Sequence, residues 1–318
     1  MGARPFRFGV LVESAHTAED LIRTARRAEA LGYATLCVRD HFVAEPFGDQ
    51  LAPMVALTAA ACATRTLRVG TLVLANDHRH PVVLAKEAAT LDAVSGGRLE
   101  LGLGAGWLRE EYERSGLSFD PPGARVSRLV EALRIVKDLL AGREVAFTGD
   151  HYRVRGLTTF PAAVQRPRPP VLVGAGSPRM LRLAGREADI VGLLPPALPS
   201  GTIAGDFAHR LPAAVRTQLA HVRAGAGGRW PEVELSMLVS PTFGDDPREA
   251  AERAAARRGW GPEAVPLVPE MPSQFVGPPE HVAEQMTARR EEYGFSYYLV
   301  SDRAMEDVAP VVDLLAGR

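Results

Sequence analysis

The chain has 318 residues, 46% of them hydrophobic and 24% charged, with 30 glycines, a balance that excludes a disordered or fibrous protein and fits a folded enzyme-sized one. Lys+Arg 37 against Asp+Glu 38 leaves a formal net charge of −1, and no basic stretch is interleaved with aromatics, so nucleic acid is not an expected partner. No run of about 18 apolar residues occurs, Met1 to Phe8 carries no apolar signal core, and Cys37 and Cys62 sit in apolar runs that suit reduced thiols; the expectation is a cytoplasmic protein acting on a small molecule, with no membrane contact and a homodimer as the oligomer to test.

In chain order, short β-branched runs alternate with longer helical patterns, the sequence form of parallel βα units. Strands are predicted at Arg7–Glu13, Thr35–Arg39, Leu67–Leu74, Leu99–Gly104, Val171–Ala175, Ile190–Leu194, Val233–Val239 and Tyr297–Ser301. Helices are predicted at Thr17–Leu31, Ala52–Thr64, Pro81–Val94, Ala124–Ala141, Pro178–Glu187, Gly205–Ala224, Pro247–Arg257 and Pro279–Tyr293. Eight strands too apolar to be half exposed fit a closed (β/α)8 TIM barrel, α/β in class, with 1–318 as a single domain. Two stretches break the rhythm. Phe147–Pro161 surrounds Gly149-Asp150 with aromatic and β-branched residues and reads as a hairpin insertion between units four and five, while Gly261–Gly277 is Pro-rich and reads as a long loop before the last unit.

The working face of such a barrel lies at the strand C-termini, which makes the polar residues there the candidates. Strand four runs into Gly102-Leu103-Gly104-Ala105-Gly106-Trp107, and strand five into Gly174-Ala175-Gly176-Ser177 at a helix start. Glycines let a backbone approach an anion, and free N–H groups at a helix start favour phosphate. The same glycines also suit a narrow strand inside a barrel; two such runs on neighbouring loops favour a phosphorylated cofactor. A bulky residue at Gly176 is then expected to weaken cofactor binding and leave stability nearly unchanged. Asp40-His41 supplies an imidazole that can change charge near neutral pH, with Asp40 placed to bias that charge if the fold brings the two side chains together. Glu13 ends strand one as a general acid or as a partner for a loop amide, and Trp107 packs at a cofactor edge or as barrel filling. His78 and His80 form an H-x-H pattern that suits a metal or an ordinary polar loop.

Together these segments resemble the luciferase-like oxidoreductases, and within them the deazaflavin (coenzyme F-420) dependent branch. The likeness is carried by Phe8-Gly9-Val10, Ala28-Glu29-Ala30-Leu31-Gly32-Tyr33, Val38-Arg39-Asp40-His41-Phe42, Leu91-Asp92 to Ser95-Gly96-Gly97-Arg98, the Gly102 to Trp107 run with Glu111-Tyr112, Arg168-Pro169-Pro170-Val171 to Ser177, Val276 to Ala283 and Gly294-Phe295. The resemblance implies hydride transfer between the deazaflavin and an organic substrate. It places His41 beside the reactive ring as a proton shuttle, with Asp40 next to it. Leu72, Val73, Leu74 and Asn76 would belong to the segment backing the ring, where a non-prolyl cis peptide is often found. Ala105, Gly106, Gly174, Ala175, Gly176 and Ser177 would hold the cofactor tail and phosphate. Read from their own positions at the strand ends, Trp107 stands at the cofactor edge and Glu13 is the fallback to His41 as proton donor. Related sugar-phosphate dehydrogenases carry an acidic residue where this chain has Trp107, and an aromatic a few residues beyond the histidine where it offers Phe42 or Phe47. The likeness therefore extends to the cofactor and not to that substrate.

FMN-dependent monooxygenation is the alternative inside the family, since it uses the same phosphate loops. A metal-dependent hydrolase built on His41, His78, His80 and Asp302 is the alternative outside it, but H-x-H sites of that kind usually follow the first barrel strand and this one follows the third. No metal is expected.

Overall fold

Residues 4–318 are described in a computed structural model. Eight parallel strands form a ring: β1 (Arg7–Leu11), β2 (Thr35–Val38), β3 (Arg68–Thr71), β4 (Leu99–Gly104), β5 (Val171–Ala175), β6 (Ile190–Leu193), β7 (Glu234–Leu238) and β8 (Phe295–Ser301). Each pairs with the next, and the ring closes where Phe8 lies opposite Tyr298. This is the expected (β/α)8 barrel. Leu11, Cys37, Leu172 and Leu299 fill its interior, while a larger apolar layer joins the strands to the surrounding helices.

Several of the motifs that carry the resemblance turn out to fasten the barrel together. Glu29 closes the first helix (Ala18–Ala30) by accepting the backbone N–H groups of Arg65, Thr66 and Leu67 at the entry to β3. Burial opposes its ionisation, but these hydrogen bonds win and hold its carboxyl down at about 2. Gly96 and Gly97 take positive φ, which directs Arg98 to donate to the carbonyls of Ala61, Leu67 and Ser95.

At the barrel floor, where β1, β3 and β7 begin, Arg7 donates to Glu234 at 2.7 Å and to Glu100 at 2.5 Å, and Arg68 reaches Glu100 at 2.6 Å. Glu100 lies on β4 and is buried. Burial alone would raise its carboxyl, yet the two guanidiniums hold it below the usual range.

The chain differs from the sequence reading in four places. The third strand is not continuous: it stops at Thr71, crosses a cis Leu72–Val73 peptide and resumes as Leu74–Ala75 beside β4. The helix expected from Gly205 begins at Pro212, behind the 3-10 turn Phe207–Arg210. Helices Arg109–Ser115 and Met305–Leu315 were not foreseen; the first is short and strongly charged, so it shows no apolar period. Gly261–Gly277 is not a plain loop. It forms a 3-10 run, Pro262–Glu270, and a strand, Gln274–Val276, that pairs with Ser240–Thr242. With helix Pro247–Arg257 these pieces build a small lobe between β7 and β8, with an apolar cluster of its own around Ala251, Val268 and Met271. Three-residue strands are too short to show an alternation. The hairpin lies where it was expected, as Val145–Thr148 against Arg153–Leu157 outside the barrel, its turn capped by Glu131.

Candidate active site

The strand C-termini open into a cleft of about 840 Å³. His41, three residues beyond the end of β2, lines it. Its Nδ1 lies 2.9 Å from Oε1 of Glu111, which also accepts the Phe42 N–H at 2.7 Å. The ring is walled by Phe47, 4.9 Å away centre to centre, and by the edge of Trp107 at 5.9 Å. His41 Nε2 has no protein partner among the described residues and is not sealed from the cleft.

Asp40 lines the same cleft but belongs to a different network. It accepts the Arg79 guanidinium with both oxygens, at 2.7 and 3.1 Å, together with the Ala75 N–H, and His78 Nδ1 stands 3.3 Å away. Burial pushes its carboxyl up, and the bonds from His78 and Arg79 outweigh that and hold it below the usual carboxylate range. The carboxylate that meets His41 is therefore Glu111 and not Asp40, which corrects the expectation drawn from their adjacency in sequence. The sequence quoted Glu111 only as part of a motif. The contact joins the loop after β2 to a short helix after β4, a distance in sequence that no local pattern reveals.

The remaining candidates divide between the cleft wall and the layers behind it. Leu72, Val73 and Leu74 form the wall at the β3 break, next to Ala105, Gly106 and Trp107. Asn76 does not reach it: buried, it donates to the Tyr152 hydroxyl at 3.3 Å. Gly174, Gly176 and Ser177 line the cleft, whereas Ala175 is buried in the strand–helix layer. Glu13 faces the cleft in an ion pair with Arg39, whose guanidinium lies 4.1 Å above the Phe47 ring. The four hydrolase candidates are dispersed among separate tasks. His41 meets Glu111, His78 meets Asp40, His80 accepts the Val82 N–H at a helix start, and Asp302 accepts Ser14. No group of three or more His, Cys, Asp or Glu able to hold a metal occurs among the described residues.

The fit of this cleft to a phosphorylated cofactor rests on Ser177. It caps helix Pro178–Glu187, yet its hydroxyl makes no capping hydrogen bond while the residue lines the cleft. The N–H groups of the first helical turn have no acceptor within the helix, so a phosphate placed there would meet donors with no other commitment. Arg125, after β4, adds a cation to the same wall, with Nε buried and unpartnered. The glycines have an additional reason to be there. A Cβ on Gly106, at φ +75°, would overlap the Tyr112 hydroxyl at 1.9 Å, and one on Gly176 would meet the Pro195 carbonyl oxygen at 2.5 Å. Replacing Gly176 would thus strain the fold, contrary to the expectation that stability stays unchanged.

A third feature was not foreseen. Arg210, Arg257 and Arg258 line the side of the cleft formed after β6 and β7, and among the described residues none has a carboxylate within 4 Å. Arg258 donates to Ser240 at 2.7 Å, and Arg257 to Thr242. Burial and the neighbouring charge of Arg258 push Arg210 down to about 10.

Barrel, cradle and imidazole together define a (β/α)8-barrel enzyme whose working face suits a phosphorylated cofactor. The sequence profile described as luciferase-like monooxygenase matches residues 4–309, and the chain belongs to that family. It is 29% identical over 314 residues to a protein named F420-dependent glucose-6-phosphate dehydrogenase from Microbacterium testaceum (strain StLB037), covering 98% of this chain and 89% of that one. A protein of the same name from Nakamurella multipartita is 30% identical over 317 residues, covering 96% and 86%. Among solved structures, the coenzyme F420 dependent tetrahydromethanopterin reductase from Methanopyrus kandleri shares the fold, with a TM-score of 0.75, 19% identity and 98% of both chains covered. No helix among the described residues is long and apolar enough to cross a membrane.

Proposed function

We propose that this protein is an F420-dependent oxidoreductase that moves a hydride between the deazaflavin and a small-molecule substrate, with His41 handling the substrate proton. The observation that carries the reading is the pairing, in one cleft, of an imidazole whose Nε2 is free with a helix start whose Ser177 hydroxyl is uncommitted. Two relatives that match nearly the whole chain bear F420-dependent names. The backbone of Gly106 and of Gly174 to Ser177, with Arg125, would hold the phosphate, and Leu72 to Leu74 would back the ring. Bound there, the deazaflavin supplies the two-electron carrier. Trp107 and Phe47 flank His41 and keep bulk water from its ring, so that a substrate hydroxyl or carbonyl is the group that meets Nε2. The unpaired Arg210, Arg257 and Arg258 favour a substrate that carries a phosphate or carboxylate. Titration of the purified protein with F420 and FMN side by side, followed by fluorescence and absorbance, tests the reading. Saturable binding of F420 with FMN at least about tenfold weaker supports it, a difference of about 1.4 kcal/mol. Tighter binding of FMN would move the protein to the monooxygenase alternative.

A further inference from the structure

We propose that Glu111 is a positioning residue that locks His41 in the Nδ1–H tautomer and thereby leaves the Nε2 lone pair facing the substrate. The inference deepens the reading of His41 as the proton-transfer residue and rests on it. An imidazole free in water favours the tautomer with the proton on Nε2, which would present a donor to the cleft. A carboxylate only accepts, so a neutral His41 whose Nδ1 stands 2.9 Å from Glu111 Oε1 must carry its proton on Nδ1. The same oxygen accepts the Phe42 N–H at 2.7 Å. Two donors from the β2 loop thus converge on one acceptor, which fixes the ring plane as well as the tautomer.

The carboxylate is itself held in place. Glu111 is buried, on a helix of seven residues that is too short to be stable by its own hydrogen bonds. The next residue, Tyr112, is buried as well and anchors the helix, its hydroxyl donating to Asp77 at 3.2 Å and filling the space beside Gly106 where a Cβ would otherwise stand. The glycine at 106 therefore does two things. It leaves the backbone open toward the cleft, and it admits the tyrosine that sets Glu111 against His41.

The direct test is 15N NMR of the histidine side chains in the full chain, at a pH where His41 is neutral, with the His41 signal assigned by its loss in His41→Gln. The wild-type chain should show the Nδ1–H tautomer at His41. Glu111→Ala should convert it to a population in which Nε2–H predominates. Glu111→Gln should retain Nδ1–H, because the Phe42 N–H selects the amide oxygen for the position between it and the ring. With a turnover assay, Glu111→Ala should lower kcat by about 10²-fold while KM for the cofactor changes little, and Glu111→Gln should recover most of the loss. The proposal is overturned if the wild-type ring already carries its proton on Nε2, a result that does not depend on Glu111→Ala folding, or if Glu111→Ala leaves the tautomer as it was. Failure to bind F420 would remove the proposed reaction without touching the tautomer result, so the two failures are distinguishable.

Discussion

His41 and Asp40 are neighbours in the sequence whose side chains answer to different partners, and this separation decides what each can do. His41 is free on the cleft side, and general acid or base action is worth about 10²–10⁴-fold, so His41→Ala should lower kcat by about that factor. Cofactor affinity should fall much less, since none of the groups proposed to hold the phosphate touches the imidazole. A kcat within about threefold of wild type would pass the role to another group. Asp40, pinned by Arg79 and His78, serves instead to hold the β2 and β3 loops together. The position of His41 was legible because a polar pair directly after a strand stands out from its apolar surroundings. Its partner was not, because a contact across 70 positions leaves no spacing to read. The same distinction applies to the cradle. Gly176→Val would press a side chain on the Pro195 carbonyl and should destabilise the fold by about 1–3 kcal/mol, which confounds any affinity it changes. Ser177→Asp is the cleaner probe. Aspartate is as good a helix cap as serine, so the melting temperature should hold or rise, while a carboxylate where the phosphate belongs should weaken F420 binding by about tenfold or more. Unchanged F420 affinity in a folded Ser177→Asp protein would mean that the phosphate lies elsewhere.

At the level of elements, the eight strands were readable from their apolar runs, and the glycine, proline and capping residues between them marked most of the helices. What the runs concealed is that Glu100, in the middle of an otherwise apolar strand, is the acceptor around which the barrel floor is assembled. A charge inside an apolar pattern shows that a partner must exist without showing which. Glu100→Gln would leave Arg68 and one arm of Arg7 without their carboxylate in a buried setting, a loss of about 3 kcal/mol or more. The pH dependence follows from the direction of the shift. The carboxyl is held below its ordinary value near 4.5 in the fold, so its contribution is complete above that value and is lost as pH falls through the lower folded value. Chemical denaturation measured between neutral pH and pH 3 should therefore show the wild type losing stability faster than Glu100→Gln, and the gap between them closing in acid. Parallel curves would mean that the floor cluster is not ionised as its contacts imply. The β7–β8 lobe escaped the sequence reading for a different reason. Its strands have three residues each, and prolines 266 and 269 sit inside a 3-10 run, so neither the helical nor the strand period had room to appear.

Across the whole molecule the formal charge is nearly balanced, while the cleft is not: six arginines and four carboxylates line it in a chain of net charge −1. The carboxylates are largely spoken for. Glu13 is taken by Arg39, Asp40 by Arg79 and Glu111 by His41, which leaves the β6–β7 side with guanidiniums that have no carboxylate within 4 Å among the described residues. In an eight-stranded ring β6 stands across from β2, so Arg210 lies on the far side of the mouth from His41. A substrate with an anionic group on the arginines would then extend its other end over the ring toward the imidazole. Hydrogen bonds to charged groups contribute about 1.5–3 kcal/mol each, so Arg257→Ala or Arg258→Ala alone should weaken inorganic phosphate binding to the F420-loaded protein by roughly 10–10²-fold, and the double variant should weaken it further. Both residues are exposed at the lobe rim, so the fold should survive their loss. Wild-type phosphate affinity should also fall as salt is raised, because at about 0.1 M the screening length is near 10 Å and an open cleft is not shielded from it. If the double variant instead loses F420 while keeping its affinity for a deazaflavin that lacks the anionic tail, the arginines serve the cofactor and the substrate need not be charged. If phosphate displaces F420 from the wild type, it is occupying the cradle at Ser177, and the arginine side of the cleft has no anion to call its own.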